Sequence, residues 1–93
     1  MKRTIEFYLE DAPDLLSSLR EAVSSSDPDA LRQAAHSLKS SSANLGALRM
    51  SELCKQLEMM GRAESTEGAT ALLAQAEAEF GEVESALEAE SRR

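Results

Sequence analysis

Apolar residues recur at Ile5, Tyr8, Ala12, Leu15, Leu19 and Ala22, with Leu9, Leu16 and Val23 beside them. Steps of three and four place these positions on one face of an α-helix. Pro13 interrupts the pattern. It offers no backbone donor and disfavours helical geometry at Ala12, and Asp11 can cap a new helix with Pro13 in its first turn. The pattern therefore predicts a short helix over 3–10 and a longer one over 12–25, kinked or broken between them. Ser24-Ser25-Ser26-Asp27 reads as a loop. Asp27 followed by Pro28 reads as an N-cap and a first helical position. The next helix is expected from Pro28 to Ala43 or Asn44, ended by Asn44-Leu45-Gly46 with Gly46 in a left-handed turn.

A further helix is expected over 47–62, with Met50, Leu53, Cys54, Leu57 and Met60 or Met59 on its apolar side. Gly61 and Glu64-Ser65-Thr66-Glu67-Gly68 mark the next connection. In the last helix, over 69–89, Leu73, Ala76, Phe80, Val83 and Leu87 form a bundle-type stripe. Glu77, Glu79, Glu82, Glu84 and Glu88 on its other side read as a solvated face. Short loops between helices of similar length make neighbours antiparallel. The expected fold is all-α: an antiparallel up-down-up-down four-helix bundle with a short extra N-terminal helix.

Composition agrees. The chain holds two Val, one Ile and three Thr, so strand-forming residues are scarce. Its 93 residues fit a single domain spanning 1–93. The lone Cys54 allows no intrachain disulfide and suits a reducing compartment. The stripe of the last helix would also suit a dimer, but filling a four-helix core is its simpler use, so a monomer is expected. A net charge of -7 without a basic stripe argues against nucleic acid. No apolar run is long enough to cross a bilayer. Met1-Lys2-Arg3 begins like a signal peptide, but Glu6, Glu10 and Asp11 break the apolar segment that should follow. The cytoplasm is the expected location.

One residue stands out chemically. Leu31, Ala35, Leu38, Ser42 and Leu45 form the inward stripe of the second long helix. By helical arithmetic His36 lies about 140–160° from Leu31 and Leu38, so it faces outward. Arg32, Gln33, Lys39, Ser40 and Ala43 are its helical neighbours. An exposed imidazole is a competent nucleophile near neutral pH. A phosphoryl group placed on it would be stabilised by Lys39 or Arg32. Small Ser40 and Ala43 leave room for a partner protein to reach the ring. A plain surface histidine is the alternative that these residues leave open. Metal binding is disfavoured because there is no second His and only one Cys. Hydrolysis is disfavoured because Ser40 and Ser41 have no oxyanion loop or orienting acid.

The stretch from Ala35-His36-Ser37-Leu38-Lys39-Ser40 through Ser41-Ser42-Ala43-Asn44-Leu45-Gly46-Ala47 resembles the signature of histidine-containing phosphotransfer (HPt) domains, roughly A-H-x-L-K-G-[SA]-[SA]-x-x-[LV]-G. Leu53-Cys54-Lys55-Gln56-Leu57-Glu58 and Glu10-Asp11-Ala12-Pro13-Asp14-Leu15-Leu16 are similar to the family's next helix and first region. The resemblance implies a phosphorelay intermediate. His36 accepts the phosphoryl group on Nε2, and Lys39 offsets its charge. Ser40 stands where the family usually has glycine; its small size keeps access open, and its hydroxyl is a candidate donor to phosphoryl oxygens. Glu58 occupies a position that is often Gln. As in the chemotaxis-kinase phosphotransfer domain, a glutamate there accepts from Nδ1–H and so fixes the tautomer; otherwise it is an exposed helix glutamate. Gln33 is the second candidate for orienting His36.

The implied partners are response-regulator receiver domains and a hybrid sensor histidine kinase. The implied protein is a phosphocarrier rather than a turnover enzyme. It needs no cofactor of its own, since the receiver brings the magnesium, and the chain has no glycine-rich nucleotide loop. Docking is expected around His36 through Ala35, Ala43 and either Phe7 or Leu15. Arg32, Ser40 and Ala43 border the approach. Ser41, Ser42, Cys54 and the methionines read as packing residues. Three rivals remain. A receiver-docking bundle with a vestigial histidine is disfavoured by Lys39. A direct kinase substrate of the chemotaxis type is favoured by Glu58 and disfavoured by the Asn44-Leu45-Gly46 turn. A purely structural bundle would give His36 no special behaviour.

Overall fold

The computed structural model describes the backbone of residues 2–91 and the side chains of residues 5–90. Four helices follow in order: α1 (Lys2–Ser24), α2 (Pro28–Asn44), α3 (Leu48–Arg62) and α4 (Ala69–Ser91). They pack in a ring, α1 on α2, α2 on α3, α3 on α4 and α4 on α1, with the α2–α3 contact the most extensive. The core is built from Tyr8, Leu16 and Leu19 of α1, Leu31 and Leu38 of α2, Met50 and Leu57 of α3, and Leu73 and Phe80 of α4. Among the described residues no helix is long and apolar enough to cross a membrane.

The expected break at Pro13 does not occur. The short N-terminal helix is the first part of α1, which continues through the proline without a break. Pro13 costs the helix one hydrogen bond and a clash, about 3 kcal/mol. Breaking α1 there would take Ile5 and Tyr8, both buried, off the core. Each large apolar side chain buried is worth about 1.5–3 kcal/mol, so packing outweighs the local preference. The buried series is Ile5, Tyr8, Ala12, Leu16, Leu19 and Ala22. Leu15, expected in the stripe, is only half-buried.

The helix ends follow their local chemistry. Asp27 Oδ1 accepts from the Ala30 N–H at 3.1 Å, with Pro28 at the first position of α2. At its other end the Ala47 N–H donates to the Ser42 carbonyl and the Gly46 N–H to Ala43, with Gly46 at φ +78°. That is a Schellman close, and glycine takes its left-handed residue without strain. The same pairing closes α1 at Ser26 (φ +53°) and α3 at Glu64 (φ +58°), where a side chain must bear that conformation.

Gly61 sets how closely α2 and α3 approach. A Cβ there would lie 2.6 Å from the Pro28 carbonyl oxygen and 2.8 Å from the Arg32 Cβ and backbone nitrogen. Across α1 and α2, the Tyr8 hydroxyl and the Ser42 hydroxyl share a buried hydrogen bond of 2.9 Å. The Tyr8 ring meets Phe80 at 6.0 Å between centroids. Burial pushes the Tyr8 hydroxyl pKa up.

Two further expectations are adjusted, and that for Cys54 holds. The acidic face of α4 is not wholly solvated: Glu77 pairs with Arg20 and Glu79 with Arg49, both across helix boundaries. Met59 is exposed, so Met60 takes the inward place on α3; Met1 and residues 92–93 lie outside the described residues. Cys54 is core, and burial pushes its thiol up to about 12, which leaves it inert as a nucleophile.

Candidate functional site

The site joins one face of α2 to one residue of α3. His36 and Lys39 are three apart on α2, so they project together. Glu58 lies opposite them on α3. The antiparallel register is held by the Ser51 hydroxyl, which donates to the Lys39 carbonyl at 3.1 Å, and by the close approach at Gly61, one turn from Glu58.

Glu58 is the hub. Only 3% of its side chain is exposed, yet it carries a charge. Lys39 Nζ lies 2.7 Å from Oε1. Arg62 donates to Oε2 at 3.0 Å, and His36 Nδ1 lies 2.9 Å from the same oxygen. The Lys39 ammonium, then the Arg62 and His36 hydrogen bonds, outweigh burial and hold the carboxyl pKa down at about 2, from 4.5. An ionised carboxylate can only accept. His36 Nδ1 must therefore carry the hydrogen, and the lone pair of the neutral ring sits on Nε2. The His36 side chain is 57% exposed. The ring is thus fixed at its inner nitrogen and open at its outer one, the arrangement for nucleophilic attack on a group delivered from solvent.

The other predicted residues separate cleanly. Glu58 is not an exposed helix glutamate. Gln33 does not orient His36: its amide donates to Asp29 Oδ2 at 2.9 Å, while Arg32 holds Asp29 Oδ1 at 2.8 Å. Asp29, one turn N-terminal to both, draws them away from the ring. Ser40 and Ala43 are exposed beside His36, as access requires. Ala35 is fully buried and leaves the set of docking candidates. Phe7 is exposed and, with Asp11, Ser41, Asn44 and Leu45, lines a shallow groove between α1 and the end of α2.

Arg62 is the site residue that sequence reasoning missed. A signal was available: Arg62 is four residues C-terminal to Glu58, the favourable order for an ion pair along one helix. Gly61 was read as a break marker, whereas it lies inside α3 and brings the two helices together. Among the described residues no buried side-chain nitrogen or oxygen lacks a partner, and no cluster of three or more His, Cys, Asp or Glu is placed to hold a metal ion.

The sequence model of the Hpt domain family matches residues 3–91. The crystal structure of histidine-containing phosphotransfer protein B from Pseudomonas aeruginosa PAO1 is similar at a TM-score of 0.95 and 35% identity, over 99% of this chain and 80% of that one. No curated protein matches the chain. With the helical ring, the outward histidine and a family match over nearly its whole length, the chain belongs to the Hpt domain family.

Proposed function

We propose that this domain is a phosphorelay intermediate that takes a phosphoryl group onto His36 Nε2 from a receiver-domain aspartate and passes it to another receiver. The observation that carries this reading is the ring's two-sided setting. Nδ1–H is anchored on a buried, ionised carboxylate, and Nε2 stands open beside small residues.

In the transfer, the Nε2 lone pair attacks the phosphorus of the aspartyl phosphate in line. The N–P bond forms as the P–O bond to the aspartate breaks, and the aspartate leaves as a carboxylate. The ring ends with hydrogen on Nδ1, phosphorus on Nε2 and a positive charge. Glu58 faces that charge at 2.9 Å and stabilises it as it develops. Lys39 keeps Glu58 ionised and adds positive charge beside the incoming group. The reverse step loads the next receiver. Positioning and electrostatics suffice for such a transfer, and the receiver supplies the magnesium. The domain needs no cofactor of its own and acts as a monomer in the cytoplasm.

The test is transfer from a receiver phosphorylated on its aspartate, comparing the native chain with His36→Gln. An acid-labile, alkali-stable label on the native chain alone is expected. If diverse receivers and a chemotaxis-type kinase all leave it unlabelled, a docking or structural role replaces this reading.

A further inference from the structure

Among the described residues three cations stand near His36, and their commitments differ. Arg32 is held by Asp29 at 2.8 Å. Lys39 occupies Glu58 Oε1, at 2.7 Å, with 30% of its side chain exposed. Arg62 is 62% exposed and rests on Oε2 at 3.0 Å, the same oxygen that takes the His36 Nδ1–H. Of the two cations on Glu58, Arg62 is the more exposed and the one whose acceptor is shared.

We infer that Arg62 is a phosphoryl-binding residue, which leaves Glu58 Oε2 for the phosphoryl oxygens once His36 is phosphorylated. The inference rests on the reading of His36 as phosphoacceptor. Phosphorylation at Nε2 makes the ring cationic, so its Nδ1–H bond to Oε2 becomes charge-assisted and stronger. Arg62's claim on that oxygen weakens. At the same moment about two negative charges appear on the outer side of the ring. Arg62 itself is largely exposed, and Lys39 with the cationic ring still compensates the buried Glu58 carboxylate when Arg62 leaves. A guanidinium can also meet two phosphoryl oxygens at once, which an ammonium cannot do in a fixed fork. Lys39 stays on Oε1 and keeps Glu58 ionised, so the anchor of the ring survives the exchange.

Phosphoramidate phosphorylates an accessible imidazole without any receiver, so it isolates this step. The native chain, Arg62→Gln, Arg62→Lys and His36→Gln are treated with it, and the phosphohistidine 31P signal is titrated with pH. A neighbouring cation favours the dianion. Arg62→Gln should therefore raise the pH at which the phosphoryl group takes up its proton by about 0.5 unit. Arg62→Lys should recover part of that shift, and His36→Gln should show no phosphohistidine signal. Circular dichroism serves as the folding control, since most of the Arg62 side chain is exposed. A midpoint in Arg62→Gln equal to the native one, on a folded and phosphorylated protein, overturns the inference. Failure of receivers to label the native chain would instead sink the relay reading, and the titration would still decide what Arg62 does.

Discussion

Two glycines inside helices offer a matched experiment, because the same substitution should act with opposite sign. In a helix interior, Ala is favoured over Gly by about 0.5–1 kcal/mol. At Gly81 of α4 a Cβ would meet nothing within 4 Å, so Gly81→Ala should gain that amount. For a domain of this size that raises Tm by about 2–8 °C. At Gly61 the same Cβ would lie 2.6 Å from the Pro28 carbonyl oxygen and 2.8 Å from the Arg32 backbone nitrogen. Backbone atoms cannot rotate aside, so α2 and α3 must separate by several tenths of an ångström. Overpacking of this kind costs about 1–3 kcal/mol, which exceeds the propensity gain. Gly61→Ala should therefore lower Tm by several degrees, read by thermal unfolding followed by circular dichroism. The separation falls one turn from Glu58, so receiver transfer to His36 should slow as well. If Gly61→Ala raises Tm as much as Gly81→Ala does, the close approach of α2 and α3 is wrong.

The remaining predictions concern charge, a buried pair and a strained turn. Glu58 has a lowered carboxyl pKa, from 4.5 to about 2, so its contribution to stability is complete above pH 4.5 and is lost as pH falls toward 2. The full shift corresponds to about 3 kcal/mol, and the exposure of Arg62 and His36 reduces this to about 1–2 kcal/mol. In urea melts across that window Glu58→Gln should lose less stability than the native chain; equal losses would remove Glu58 from the account. Tyr8→Phe strips the buried Ser42 hydroxyl of its partner and should cost about 1 kcal/mol in the same assay, whereas a neutral result would mean that Ser42 finds another partner. Glu64 holds φ +58° at the end of α3, so Glu64→Gly should stabilise by about 0.5–1 kcal/mol by relieving the left-handed conformation. A lower melting temperature for that variant would contradict the turn assigned there.

Several features could be read from the chain because their causes lie within a few residues. The Asp27-Pro28 start of α2 and the Gly46 close depend on neighbours one turn away. So does the outward direction of His36, which follows from its angle to Leu31 and Leu38. Once the helices were known to form a bundle, the exposed imidazole between Arg32 and Lys39 was already a candidate nucleophile.

What local patterns left open was decided between helices. Pro13 carries a true local signal for a break, and only the burial of Ile5 and Tyr8 against other helices overrides it. Gln33 and Glu58 were both candidates to orient the ring. Gln33 is bonded instead to Asp29 on its own helix, and the register of α3 against α2 brings Glu58 to His36. That register in turn depends on a missing Cβ at Gly61. Helical periodicity tells which way a side chain faces, but not which residue of another helix it will meet. Sequence alone thus determined the Asp27-Pro28 start and Gly46 close of α2 and the exposed histidine, since caps and helical angles act over one turn. The tertiary structure alone decided that Glu58 is buried, ionised and bound to His36, Lys39 and Arg62, since that geometry depends on how closely two helices distant in sequence pack.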